Sequence, residues 1–192
     1  MIRLCIFASG SGTNAENIAK YFKNNSLIEV SAIFYNKPNA GVVDRMDGLN
    51  IPCHYFDNKA FANSDFLSKL EELQIDFVIL AGFLRKLSAS FTEKFHNRIL
   101  NIHPALLPNY GGKGMYGMHV HRAVKQAGDS HTGISIHLVN ENYDEGNMVF
   151  QAQVALDASD TPESIAQKVH VLEYEHFPKV IENYISKYGE EN

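Results

Sequence analysis

The chain has 192 residues, 45% hydrophobic and 20% charged, which suits one folded domain with a full core and excludes a disordered or fibrous polymer. Its net charge of −5 and lack of a basic run exclude the Lys/Arg footprint by which proteins neutralise nucleic-acid phosphates. Its apolar runs, such as Phe77–Leu84, are too short to span a bilayer, and its two cysteines exclude a disulfide scaffold.

Met1–Phe7 lacks the charged start, long apolar stretch and cleavage site of a signal peptide, and reads as a first strand. Strands are expected at Ile2–Ala8, Leu27–Tyr35, Pro52–Phe56, Phe77–Ala81, Ile99–Asn101, His131–Val139 and Met148–Ala155. Helices are expected at Asn14–Lys23, Val42–Leu49, Lys59–Leu73, Ala89–Phe95, His119–Ala127 and Pro162–Tyr188. The alternation predicts an α/β fold in three layers: a mostly parallel twisted sheet with a Rossmann-like N-terminal half. The turn-rich segment Asn140–Asn147 between the last two strands predicts an antiparallel pair, followed by a long C-terminal helix. Asp160-Thr161-Pro162-Glu163 should start that helix, and Pro178 should kink or interrupt it. Cys5 and Cys53 read as reduced core thiols of a cytoplasmic protein, and no metal is expected, since neither C-x-x-C nor H-E-x-x-H occurs.

Ligands of open α/β sheets sit beyond the carboxyl ends of the strands. The first such end carries Ala8-Ser9-Gly10-Ser11-Gly12-Thr13-Asn14-Ala15, whose glycines allow close approach of a ligand and whose helix start attracts an anion. Gly10-x-Gly12-x-x-Ala15 also fits a loose dinucleotide fingerprint. That fingerprint wants an acid after the second strand, where Asn36-Lys37 stands instead. A triphosphate P-loop is absent, so monophosphate binding by Gly12, Thr13 and Asn14 is the sharper reading, against a plain strand-to-helix turn.

Beyond the fifth strand, Asn101 and His103 lie two residues apart. They share a face if the chain stays extended, which Pro104 favours. An amide and an imidazole together suit acyl transfer, because both can donate to an oxygen gaining negative charge. Asp144, in the turn before Gly146, is the natural third member, although an Asn-x-His alone and an aspartate before glycine are more often structural. His119 and His121 read as supporting residues, and His137 as a hydrogen-bonded sheet histidine.

Asn101–Pro108 with Asp144 downstream resembles the signature of the 10-formyltetrahydrofolate-using formyltransferase family, and Gly10–Asn14 resembles the members that act on glycinamide ribonucleotide. Ala81–Leu87, His119-x-His121-Arg122, Gly133–His137 and Glu173 match as well, so the similarity runs from Ile2 to about Ile185.

The resemblance implies a single formyltransferase domain over 1–192, with a phosphate-binding half (1–100) and a catalytic, folate-binding half (101–192). It implies an enzyme of purine biosynthesis that moves a formyl group from 10-formyltetrahydrofolate, the donor cosubstrate, to the amine of glycinamide ribonucleotide. Gly12, Thr13 and Asn14 would hold the phosphate, and Glu173 the glycinamide end. Leu84, Arg85, Lys86 and Leu87, with Asn101, Val139 and Asn140, would line the folate pocket. Asn101 and His103 would stabilise the oxyanion, while Asp144 would raise the His103 pKa. The partners implied are these two small molecules, with no metal, nucleic acid or membrane, in a monomer or weak homodimer.

Relatives that hydrolyse the donor add a regulatory domain ahead, and relatives acting on tRNA add a basic domain behind. Neither is expected in a chain that starts at its first strand and ends after its last helix. Asn109–Met118, with four glycines, departs from relatives with a shorter loop and reads as a lid closing over substrate. The cofactor-contacting arginine that some relatives carry near Phe61–Asp65 has no counterpart here.

Overall fold

Leu4–Ala8, the last five residues of the first strand, are all fully buried, so both faces of that strand are covered, as in the interior of a parallel sheet. The computed structural model describes residues 1–57, 61 and 64–191. The elements run β1 (Ile2–Ala8), α1 (Thr13–Phe22), β2 (Ile28–Tyr35), α2 (Val42–Met46) continuing into a 3-10 turn at Asp47–Leu49, and β3 (Cys53–Tyr55). They continue with α3 (Ser64–Glu72), β4 (Phe77–Leu80), α4 (Ala89–Lys94), β5 (Ile99–His103), α5 (Met118–Ala127), β6 (His131–Leu138), β7 (Met148–Ala155) and α6 (Pro162–Glu191). One seven-stranded sheet has the order β3-β2-β1-β4-β5-β6-β7, parallel where β1 meets β2 and β4, and antiparallel between β6 and β7. The mixed, mostly parallel sheet with a long final helix is the architecture expected from the sequence.

The chain divides into two units, Met1–Leu100 and Asn101–Asn192. In the first, α1 buries Ala15, Ile18, Ala19 and Phe22, the spacing that puts one helical face on the core. The core is built around Phe7, fully buried, whose ring centroid lies 5.3–6.5 Å from those of Phe34, Phe56, Phe61, Phe66, Phe83 and Phe91. The tilted and edge-on arrangements suit the quadrupoles of aromatic rings. Of the helix expected from Lys59, residues Lys59, Ala60, Ala62 and Asn63 lie outside the described residues, as do two positions of the segment where relatives carry an arginine.

In the second unit, β6 and β7 pair so closely that a side chain at Gly133 would put its Cβ 1.9 Å from the Ala152 carbonyl oxygen. Helix α6 packs on α5, β6 and β7. Its start is a reciprocal cap: the Ser164 N–H donates to Thr161 Oγ1 at 3.2 Å and the Thr161 N–H to Ser164 Oγ at 2.9 Å. Of the two effects expected of Pro178, a kink or an interruption, the interruption does not occur, and the helix runs through to Glu191. Proline forfeits one backbone bond, but burial of Ile165, Val169, Phe177, Ile181 and Ile185 along one face holds the turns on either side.

Candidate functional site

Within the first unit, two loops follow the ends of adjacent strands. After β1, Gly12 has φ +76°, and a Cβ there would lie 2.5 Å from Val42 Cα, so only glycine fits between the loop and α2. Thr13 and Asn14 open α1, whose first N–H groups have no intrahelical partners and attract an anion. Glu16 in that first turn would repel one, but Lys20 lies 2.6 Å and Arg45 2.5 Å from its carboxylate. Arg45 also donates to the Ser11 carbonyl at 2.8 Å, bracing the loop. After β4, the Leu84 N–H donates to Ser9 Oγ at 3.2 Å and the Ser9 N–H to the Gly82 carbonyl at 3.1 Å. Phe83 and Leu87 are buried anchors that leave Leu84, Arg85 and Lys86 exposed.

Within the second unit, Asn101 and His103 both lie in β5, which stays extended through His103, two residues longer than expected. The segment after it is fastened to β6 by Ser135, fully buried. Its Oγ donates to the Ala105 carbonyl at 2.7 Å and accepts from the Leu107 N–H at 2.9 Å. His137, two residues further along the same strand face, carries the fixed end of a polar group. Its Nδ1–H donates to the Leu138 carbonyl at 2.8 Å, since a carbonyl can only accept, so Nε2 carries the lone pair whenever the ring is neutral. The Asn101 Nδ2 donates to that lone pair at 3.0 Å. This sets the amide orientation and leaves Asn101 a second N–H to give.

Asp144 joins the same group. Its Oδ1 lies 3.6 Å from His137 Nε2 and its Oδ2 lies 3.7 Å from His103 Nδ1 and 2.9 Å from the Gly112 N–H, which donates to it. The loop that delivers Asp144 is closed by the Leu138 N–H donating to the Asn147 carbonyl at 2.9 Å. Gly146 is crossed so tightly that a Cβ would sit 1.7 Å from the Leu138 carbonyl oxygen. Val139 and Asn140 open this loop half-buried, and Asn140 Oδ1 accepts from the Asn142 N–H at 2.8 Å. Asn101, His103 and Asp144 therefore meet, with His137 between Asn101 and Asp144. The sequence reading left His137 in the sheet. The signal that could have found it is its place on the β6 face carrying Gly133 and Ser135, just ahead of the Asp144 loop.

His103 is only 4% exposed. Burial lowers its pKa. The Asp144 charge and the bond to the Tyr110 carbonyl act the other way without overturning it, so the ring rests below the ordinary histidine value. The Asp144 charge acts on His103 in the expected direction, but desolvation is larger and the net shift is downward. Burial raises the Asp144 carboxyl, but His137, His103 and the Gly112 N–H outweigh it and hold the group below the usual carboxylate range.

Glu173 breaks the buried face of α6 at the i+4 spacing running from Ile165 and Val169 to Phe177 and Ile181, and is itself 5% exposed. A carboxylate in a core stripe is rarely retained without charged or polar partners. His170 Nδ1 lies 2.7 Å from it, and its charge acts on both His121 and His103. His121 is buried with its Nδ1 lacking a hydrogen-bond partner among the described residues, whereas His119 is exposed against Tyr116. No group of acids, histidines and cysteines suited to a metal occurs among the described residues, and none of the described helices is long and apolar enough to cross a membrane.

Comparison with known proteins points the same way as this geometry. Residues 2–181 match the family model described as formyl transferase. The chain is 38% identical over 186 residues to the chloroplastic phosphoribosylglycinamide formyltransferase of Arabidopsis thaliana, covering 93% of this chain but only 64% of that protein. It thus spans somewhat under two thirds of that plant relative. Against the phosphoribosylglycinamide formyltransferase of Bacillus subtilis it is 32% identical, with 94% of this chain and 93% of the relative covered. The crystal structure of phosphoribosylglycinamide formyltransferase from Bacillus halodurans superposes with a TM-score of 0.87 at 35% identity, covering 97% of this chain and 96% of that one. With the match extending over nearly every element of the fold, the resemblance carried by Asn101–Pro108 and Asp144 holds, and the chain belongs to the formyl transferase family.

Proposed function

We propose that this chain transfers the formyl group of 10-formyltetrahydrofolate to the amine of glycinamide ribonucleotide, giving formylglycinamide ribonucleotide and tetrahydrofolate in purine biosynthesis. The observation that supports it most is the convergence of Asn101, His103 and Asp144, with the names carried by the relatives that share the fold. Gly12, Thr13 and Asn14 hold the phosphate at the start of α1, and Glu173, whose charge acts on His121, takes the glycinamide end. Leu84–Leu87, Asn101, Val139 and Asn140 form the walls for the folate. The protein acts on small molecules in the cytoplasm, without a metal.

The amine attacks the formyl carbon, and the carbonyl oxygen gains negative charge in the tetrahedral intermediate. The second Asn101 N–H donates to that oxygen, and His103 donates to it through Nδ1–H once that nitrogen is protonated. His103 Nε2 is bonded to the Tyr110 carbonyl, so Nδ1 is the position that takes up a proton, and Asp144 faces it. Asp144 receives the proton lost by the amine through water. The carbon–nitrogen bond to the folate then breaks, and the proton goes to the departing tetrahydrofolate nitrogen. No covalent enzyme intermediate is formed.

The reading is tested by following tetrahydrofolate release spectrophotometrically. Release that depends on glycinamide ribonucleotide is expected; release without acceptor would make the chain a hydrolase, and no release would leave it a binding module. In Gly12→Ala the new Cβ must displace α2 or the loop at a positive φ. Its KM for glycinamide ribonucleotide is expected to rise roughly tenfold or more, the scale of a lost helix-terminus anion site, with kcat near wild type. An unchanged KM would remove the phosphate from this loop.

A further inference from the structure

The three residues Tyr110, Gly111 and Gly112 frame the catalytic pair from one side. The Tyr110 carbonyl accepts from His103 Nε2 at 2.8 Å, and the Gly112 N–H donates to Asp144 Oδ2 at 2.9 Å. A Cβ at Gly111 would lie 2.6 Å from Leu107 Cδ2 and 3.4 Å from the Asp144 Cβ, so the chain threads between them. Tyr110 itself has φ +57°, a left-handed conformation that a tyrosine keeps only when its surroundings hold it there. Its own side chain is tied down as well: Tyr110 Oη donates to Asp129 Oδ2 at 2.6 Å, just ahead of β6. Asp129 pushes the phenol pKa up to about 12, so the donor stays protonated throughout the working range.

We propose that Tyr110 is a positioning residue: its hydroxyl, pinned on Asp129, anchors the 110–112 segment so that the Tyr110 carbonyl holds the His103 proton on Nε2 and keeps the Nδ1 lone pair facing Asp144. A carbonyl can only accept, so this contact selects one tautomer of the ring. Without the anchor, the strained backbone relaxes, the carbonyl leaves His103, and both ring nitrogens compete for the proton. The proposal rests on the formyl-transfer reading for its catalytic consequence and on hydrogen bonding alone for the tautomer.

The test combines nitrogen-15 NMR of the histidine rings with steady-state kinetics in Tyr110→Phe, Asp129→Ala and Asp129→Asn. Wild-type His103 is expected as a single Nε2–H tautomer at pH above its titration. Tyr110→Phe and Asp129→Ala should show a mixture of tautomers, with kcat reduced roughly tenfold or more, as for a misplaced catalytic group, and KM little changed. Asp129→Asn retains an oxygen that accepts from the phenol and should recover most of both losses. An unaltered His103 tautomer in Tyr110→Phe would overturn the proposal, as would Asp129→Asn behaving like Asp129→Ala. A changed tautomer with unaltered kcat would uphold the anchor and remove His103 from the chemistry, which separates failure of the formyl-transfer mechanism from failure of this inference.

Discussion

His103→Ala and Asp144→Asn are each expected to lower kcat by roughly 10²-fold or more while leaving substrate affinity little changed, the magnitude that follows loss of a proton-transfer or oxyanion partner. His103 Nδ1 faces Asp144 Oδ2 at 3.7 Å, and Asp144→Asn keeps the shape of the loop while removing its charge. Asp144→Asn also acts on the His103 titration. Burial already holds the His103 pKa below its ordinary value, and the Asp144 charge opposes that. Without the charge, His103 should titrate at a still lower pH in Asp144→Asn, as followed by its ring proton shifts in NMR. The sign extends to stability. A histidine whose folded pKa is depressed stabilises the fold above its unfolded value of about 6.5 and loses that contribution as pH falls through the folded pKa. Near-normal turnover in both variants would falsify the roles assigned here.

Phe7→Ala is expected to destabilise the protein by about 3–5 kcal/mol, the range for deleting a buried aromatic ring that leaves a cavity. For a chain of this size that corresponds to a loss of roughly 6–20 °C in Tm, measured by calorimetry or by chemical denaturation. The magnitude sits at the high end for a single residue because Phe7 is fully buried and at least six phenylalanine rings lie around it, each of which would lose contacts to the void. Phe7→Leu, which refills part of the space, should cost less than half as much. A loss near 1 kcal/mol in Phe7→Ala would mean that the ring cluster collapses to fill the gap.

The fold was legible because its elements carry local signals. Leu4–Ala8 and Phe77–Leu80 are apolar without alternation, which only a strand buried on both faces satisfies, and α1 repeats its apolar residues with helical period. The loop at Gly12 was legible too, since glycine between a strand and a helix has a backbone reason to be there. Whether Pro178 ends the helix was not legible: its effect on one backbone bond is local, whereas the buried stripe that keeps α6 continuous is tertiary.

The amino-acid sequence by itself thus determined the elements, their succession along the chain in an α/β fold, and the polar residues standing at strand ends, because backbone sterics and hydrophobic period act over a few residues. Only the tertiary structure decided that Asn101, His103 and Asp144 share one site, that His137 stands between Asn101 and Asp144, and that burial outweighs Asp144 in setting the His103 pKa. Those are properties of distance and desolvation between groups up to 43 residues apart (144 − 101), and neither quantity is encoded in any short stretch of chain.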